Sequence, residues 1–340
     1  MGSALIEYGA LTRHGQIQRM RQVAERALPL YGIEPITFSL LNHAYNTTFT
    51  VAGPDSALYV LHILRPPEDA RSEAQQRARV QSELWWLDRV RADLHLTVPV
   101  PVHTPEGEGV VAVGVEGIIP TRLCTLFHWV DGRFLRHRFT STHLGAVGRL
   151  TARLHRHSMH LRVPAGFDRP KVDRADAETE ERVAQLFSDS VSGAAAAVMR
   201  SVLQRVRHAQ HKLGSASDTF GLIHADIHQK NYLFRGRDIR LIDFGDCGWG
   251  HYLYDLAVTV SELEGLRHYT QLRAALLAGY RQVRDLSSLH EALIDTFVML
   301  REVQNLTWFL TVRDDPSYRE RAAQIGDRVT VLERLVGTGA

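Results

Sequence analysis

The chain has 340 residues, 44% apolar and 23% charged, which fits one large or two moderate globular domains and argues against disorder. Its net charge of +2 comes from arginines interspersed with Asp and Glu, so no basic block marks it for nucleic acid. Two cysteines, Cys124 and Cys247, argue against a disulfide framework or a zinc site, and no run reaches the roughly 18 apolar residues that span a bilayer. With no apolar signal core at the amino terminus either, the expectation is a cytoplasmic protein with neither a membrane nor a nucleic-acid partner.

In chain order, GQIQRMRQVAERALPLYGI places Ile17, Met20, Val23, Ala27 and Leu28 at helical spacing and ends at Gly32. ITFSLLNHAYNTTFTVAGPDSALYVLHILRPPE then reads as three strands, with a polar turn, a Gly53-Pro54-Asp55-Ser56 turn and a stop at Pro66-Pro67. The next segment carries Val80, Leu84, Leu87 and Val90 on one helical stripe, and the chain returns to strands from residue 98 to Asp131-Gly132. Beyond that point helices dominate, including the segment from 287 to 336. Strand-like pieces occur only around FGLIHAD, NYLF and IRLIDFG. The expected architecture is α+β: a sheet-rich lobe over 1–127 and a larger, mostly helical lobe over 128–340.

Polar residues gather at the edges of those three short strands. Asp226 and Asn231 lie five apart in HADIHQKN, and Asp243 ends the following strand, so a hairpin would bring all three to one edge. Mg2+ takes oxygen ligands, keeps several waters and uses one or two carboxylates plus substrate phosphates. Asn231 and Asp243 would supply those oxygens, leaving Asp226 to orient or deprotonate a hydroxyl, the division of labour that phosphoryl transfer requires. Taken singly, His224 would equally serve to cap a turn, and Asp243 or Asp246 to cap a helix.

The full set is His224-x-Asp226-x4-Asn231, Ile242-Asp243-Phe244 and Gly250-x4-Asp255-Leu256-Ala257. It resembles the aminoglycoside phosphotransferase and choline kinase family, which has the two-lobed protein kinase-like fold. LNHAYNTTFTV, YVLHILRP, SELWWL and LFHWVDGR stand in the order of that family's nucleotide loop, third strand, helix and interlobe link. The resemblance implies ATP and Mg2+ as cofactors, Asp226 as base or hydroxyl-orienting carboxylate, Asn231 and Asp243 as metal ligands, and His224 and Asp255 as braces of the loop. It also implies Asn46 and Thr47 at the phosphates, Glu83 as the helix carboxylate, and backbone groups of Leu126, Phe127 and His128 at adenine.

One departure concerns the strand cation. The family has Lys or Arg where this chain has His62, and the only lysines are Lys171, Lys212 and Lys230. Arg65 falls on the opposite strand face, so His62 is expected to pair with Glu83. The readings left open are an ATP-dependent kinase of a small hydroxyl-bearing molecule, a serine/threonine protein kinase of the bacterial stress-response type, and a nucleotide-binding pseudokinase scaffold. His228, standing where protein kinases have Asp-x-Lys, agrees with the first. Glu262, Glu264, Asp295 and Glu302, with Trp249, Tyr252 and Trp308, are the acceptor-pocket candidates. Leu306, Phe309 and Leu310 suit core packing or a dimer contact, so monomer and homodimer both stand.

Overall fold

The computed structural model describes residues 8–66, 72–135, 138–236, 238–313 and 319–337; Pro67 and residues 314–318 of the expected helical segment lie outside them. The chain divides into two compact units, Met1–Asp131 with Val163–Arg169, and Gly132–Arg162 with Pro170–Ala340.

In the first unit, α1 (Arg13–Leu30) starts where Thr12 Oγ1 accepts the Gly15 N–H at 3.2 Å, and it buries Met20, Val23, Ala24, Ala27 and Leu28. Six strands follow: β1 (Thr37–His43), β2 (Thr47–Ala52), β3 (Leu58–Ile63), β4 (Pro101–Val102), β5 (Val111–Val115) and β6 (Ile118–His128). Their order is β1-β2-β3-β6-β4, with β5 also on β6 and every pair antiparallel. Between β3 and β4 runs α2 (Glu73–Leu94), which buries the expected Val80, Leu84, Leu87 and Val90. Strand alternation sends Phe49, Val51, Leu61, Ile63, Cys124 and Leu126 into one core with the α1 residues. His62, between Leu61 and Ile63, therefore points from the other face of the sheet.

Helices make up most of the second unit: α3 (Ser141–Ser158), α4 (Ala177–Ser190), α5 (Gly193–Leu213), α6 (Tyr252–Ser261), α7 (Tyr269–Arg281), α8 (Ser288–Thr311), α9 (Arg319–Ala323) and α10 (Ile325–Gly337). The strands are β7 (Phe220–Ile223), β8 (Tyr232–Arg235), β9 (Asp238–Leu241) and β10 (Gly248–His251), paired antiparallel as β7 with β10 and β8 with β9. Sequence reasoning misses β10. Two glycines in GWGH dilute its strand signal, and they are there for close approach: a Cβ on Gly248 would stand 2.4 Å from Pro170 O, and one on Gly250 2.7 Å from Ile223 Cδ1. Leu306, Phe309 and Leu310 are core residues.

The α3–α7 packing prepares the site. Gly148 has no room for a side chain, since a Cβ there would lie 2.0 Å from Leu276 O and 2.8 Å from Tyr280 N. Both neighbours are backbone, so the helices themselves would have to separate. Gly148→Ala is expected to cost about 1–3 kcal/mol in a denaturant titration and to loosen His155 of α3 from Tyr280 of α7.

Candidate active site

β7 delivers the chain into the loop His224–Asn231, whose shape is fixed from behind by one buried carboxylate. Asp255, in the first turn of α6, accepts the His224 N–H at 3.1 Å on Oδ2 and the Ala225 N–H at 2.6 Å on Oδ1. Ala225 has φ +67, a left-handed conformation costly for any residue with a Cβ, and the Asp255 bond holds it there. His155 Nε2 adds a third donor to Asp255 at 3.1 Å, and Tyr280 OH lies 2.9 Å from the other ring nitrogen. Burial lowers the His155 pKa despite Asp255, so the ring works as a neutral donor. Thr259 Oγ1 further ties the loop to α6 by donating to Ile227 O at 2.8 Å.

His224 is fully buried, its Nδ1 accepting the Asp226 N–H at 3.2 Å and its Nε2 facing Ile242 O at 3.3 Å. It links the loop to the chain after β9, the bracing role expected of it, and burial keeps it neutral.

Asp226 itself is gripped on both oxygens. Asn231 Nδ2 donates to Oδ2 at 2.7 Å, and His228 Nε2 lies 3.1 Å from the same oxygen. The His228 Nδ1 accepts the Lys230 N–H at 3.2 Å, so Nε2 is the nitrogen that carries hydrogen toward Asp226. Oδ1 pairs with the Arg301 guanidinium of α8. Burial alone would raise the Asp226 carboxyl; the His228 hydrogen bond and the Arg301 charge outweigh it and hold the group well below the usual carboxylate range.

The β8–β9 hairpin brings Asn231 and Asp243 to one edge, as its open end is closed by Ile242 N–H donating to Asn231 O at 2.8 Å. Asn231 gives its amide nitrogen to Asp226, which turns its Oδ1 away. Asp243 also has a left-handed backbone (φ +61). Its pKa is raised to about 6, first by loss of solvation and then by the Asp246 and Asp226 charges. Among the described residues no cluster of three or more acidic, His or Cys side chains closes around a metal ion. The donor set is instead an open pair, one crowded carboxylate and one amide oxygen. That pair fits a divalent cation that keeps waters and phosphate ligands.

The expected nucleotide residues lie in the first unit. Thr47 is buried and bonded to His43 Nδ1 at 2.8 Å, while Asn46 Oδ1 accepts the Arg65 N–H at 2.9 Å, so both side chains shape the β1–β2 turn. Phe127 is buried, and the His128 N–H donates to Val100 O at 2.9 Å. β4 lies along β6 at this point, Pro101 opposite Phe127 and Val102 opposite Leu126. Glu83 is half-buried on α2.

His62 packs edge-on against the Phe127 ring, centroids 5.2 Å apart, and its described contacts do not include Glu83. Burial pulls its pKa from 6.5 down to about 4, so the strand position carries a neutral ring near pH 7. Because the unfolded chain binds this proton more readily, the His62 contribution to stability is complete above pH 6.5 and is lost as pH falls toward 4. Acidification from pH 7 to pH 5 is expected to lower the melting temperature. In His62→Leu that drop should shrink by roughly 2–4 °C, measured by thermal scans at both pH values.

Of the acceptor-pocket candidates, Tyr252 is buried, donates to Ser217 O and carries the Arg284 guanidinium 4.5 Å from its ring centroid, so its ring packs against the protein itself. Asp295 is paired with Arg273 at 2.7 Å, Glu302 with Arg328 at 2.5 Å, and Glu262 accepts from Gln229 at 2.9 Å. Sequence reasoning misses His155, Tyr280 and Arg301. The signal for Arg301 is present in retrospect: it falls seven residues after Ile294 and three after Val298, both buried on α8.

The sequence matches the phosphotransferase enzyme family over residues 37–291. No curated protein matches it. Among solved structures, a microcompartment-associated aminopropanol kinase is 28% identical with a TM-score of 0.78, over 94% of this chain and 98% of the other. Amicoumacin kinase bound to AMP-PNP, Ca2+ and amicoumacin is 20% identical, with a TM-score of 0.75 over 94% and 96%. The choline kinase LicA of Streptococcus pneumoniae is 13% identical, with a TM-score of 0.59 over 94% and 99%. The last two likenesses establish the kinase-like fold.

Proposed function

The chain belongs to the phosphotransferase enzyme family and transfers phosphate to an alcohol group; on that premise we propose an ATP- and Mg2+-dependent kinase of a small hydroxyl-bearing molecule, with Asp226 orienting the acceptor. The observation that carries this reading is the Asp226 carboxylate, ionised, fixed by three donors, and left with acceptor capacity on Oδ1.

Asp226 receives the hydrogen bond of the acceptor hydroxyl and turns its oxygen toward the phosphoryl group. Its low basicity suits orientation of the hydroxyl early in the reaction, the proton passing to the Asp226 carboxylate only as the new oxygen–phosphorus bond forms and the bond to the departing nucleoside diphosphate breaks. Asn231 and Asp243 would hold Mg2+, which when bound neutralises phosphate charge. His228 keeps the carboxylate in place, and Asp255 with His224 keeps the loop in place. The expected nucleotide residues are Asn46, Thr47, His62, Glu83, Phe127 and His128.

The named acceptors of the similar structures set the test: aminopropanol, amicoumacin and choline, each incubated with ATP and Mg2+, beside a protein acceptor. Phosphate on one of the small molecules supports the proposal, and label on protein alone supports the serine/threonine kinase reading. A second reading, a nucleotide-binding scaffold without turnover, rests on the neutral His62. Bound ATP with no transfer, even in His62→Lys, would favour it.

A further inference from the structure

Arg301 is an expensive residue where it stands. It lies on the apolar face of α8, in helical register with buried Ile294 and Val298, and only 19% of its side chain is exposed. A charge taken from water at a core position costs several kcal/mol, and an apolar residue of similar volume would serve packing as well or better. The position must be explained by what the guanidinium holds.

Arg301 bonds Asp226 Oδ1 at one end. On its other side the guanidinium lies close to the buried Tyr254 hydroxyl, which donates to Gln304 Oε1, and Gln304 Nε2 in turn donates to Val172 O at 2.7 Å. The backbone there is itself tied down, with the Val172 N–H on Trp249 O at 2.9 Å. An anchored chain thus runs from the segment beside β10, through α6 and α8, to the oxygen of Asp226 that the loop's own residues leave alone. Asn231 and His228 grip only Oδ2, and a carboxylate held by one oxygen still turns about its Cβ–Cγ bond.

We propose that Arg301 is a positioning residue that fixes the second oxygen of Asp226, aiming its remaining lone pair at the acceptor hydroxyl. The proposal rests on Asp226 being the residue that orients the acceptor. Misplacing a reacting group by about 1 Å costs roughly a hundredfold in rate, and the guanidinium makes the difference between one point of attachment and two.

The test compares native, Arg301→Ala, Arg301→Lys and Asp226→Asn full-length chains in transfer from ATP to aminopropanol and choline, with hydrolysis by water recorded in the same reactions. Arg301→Ala is expected to lose about a hundredfold in kcat while KM for ATP stays within about twofold. Millimolar guanidinium chloride should restore at least about a tenth of the native rate to Arg301→Ala, and ammonium chloride should not. Arg301→Lys, which keeps the charge without the planar fork, should retain about a tenth of native activity. A role in stability alone would lower the melting temperature without guanidinium rescue. Native kcat in Arg301→Ala, or a folded Arg301→Ala whose loss guanidinium does not relieve, overturns the proposal. Should Arg301→Ala fail to fold, Tyr254→Phe removes the anchor and leaves the ion pair; about a tenfold fall in kcat is expected, and native kcat overturns the proposal. Asp226→Asn separates the two levels. If it turns over normally, the reading of Asp226 itself fails; if it is dead while Arg301→Ala is native, only the role of Arg301 fails.

Discussion

Asp226→Asn is expected to reduce phosphoryl transfer by at least about a thousandfold while ATP binding stays within about twofold. The amide is nearly the same shape as the carboxylate, so the loop keeps its bonds from the Asp255 carboxylate to the His224 and Ala225 N–H groups. What disappears is the charge. The substituted oxygen no longer draws the acceptor hydroxyl strongly, and one of the two positions now carries N–H groups that face the donors of Arg301 or of His228 and Asn231. Initial rates and a nucleotide titration on the same preparations check this, because a folding defect would weaken both together.

Asp255→Ala is expected to produce the largest loss of stability among the site variants, about 3–5 kcal/mol in a denaturant titration. This carboxylate is fully buried and accepts from two backbone N–H groups and from His155 Nε2. Removing it orphans three donors at once and frees Ala225 to leave its left-handed conformation. Transfer should be lost as well, since the loop then no longer presents Asp226. Asp255→Asn should be milder, because its one oxygen still satisfies part of the set, and the ordering Asp255, then Asn, then Ala in unfolding midpoint is the second check.

Much of this was legible in the residues. Period-2 alternation in Phe49, Val51, Leu61 and Ile63 predicts the antiparallel sheet, and helical spacing in α1 and α2 predicts the faces that are buried. The spacing of Asp226, Asn231 and Asp243 around a hairpin brings them to one edge because β8 and β9 are short and pair in register from Tyr232 with Leu241 to Arg235 with Asp238. Long-range polar partners were not legible. Nothing local ties His155 to Asp255, a hundred positions apart, or Arg301 to Asp226, seventy-five apart; those pairs depend on how α3, α6, α7 and α8 pack. Strand β10 was hidden for a related reason, its glycines answering to Pro170 and Ile223 instead of to strand propensity. His62 shows the limit of reading a position by its motif. The sequence places it at the strand cation, whereas packing against Phe127 and burial favour the neutral ring.

The most direct measurement is single-turnover transfer of the labelled γ-phosphoryl group from ATP to the small-molecule panel, with the native chain and Asp226→Asn at equal bound nucleotide. A labelled phosphoester formed by the native chain and absent with Asp226→Asn is the predicted result. Equal labelling by both would contradict a catalytic role for Asp226 and move the reacting centre elsewhere.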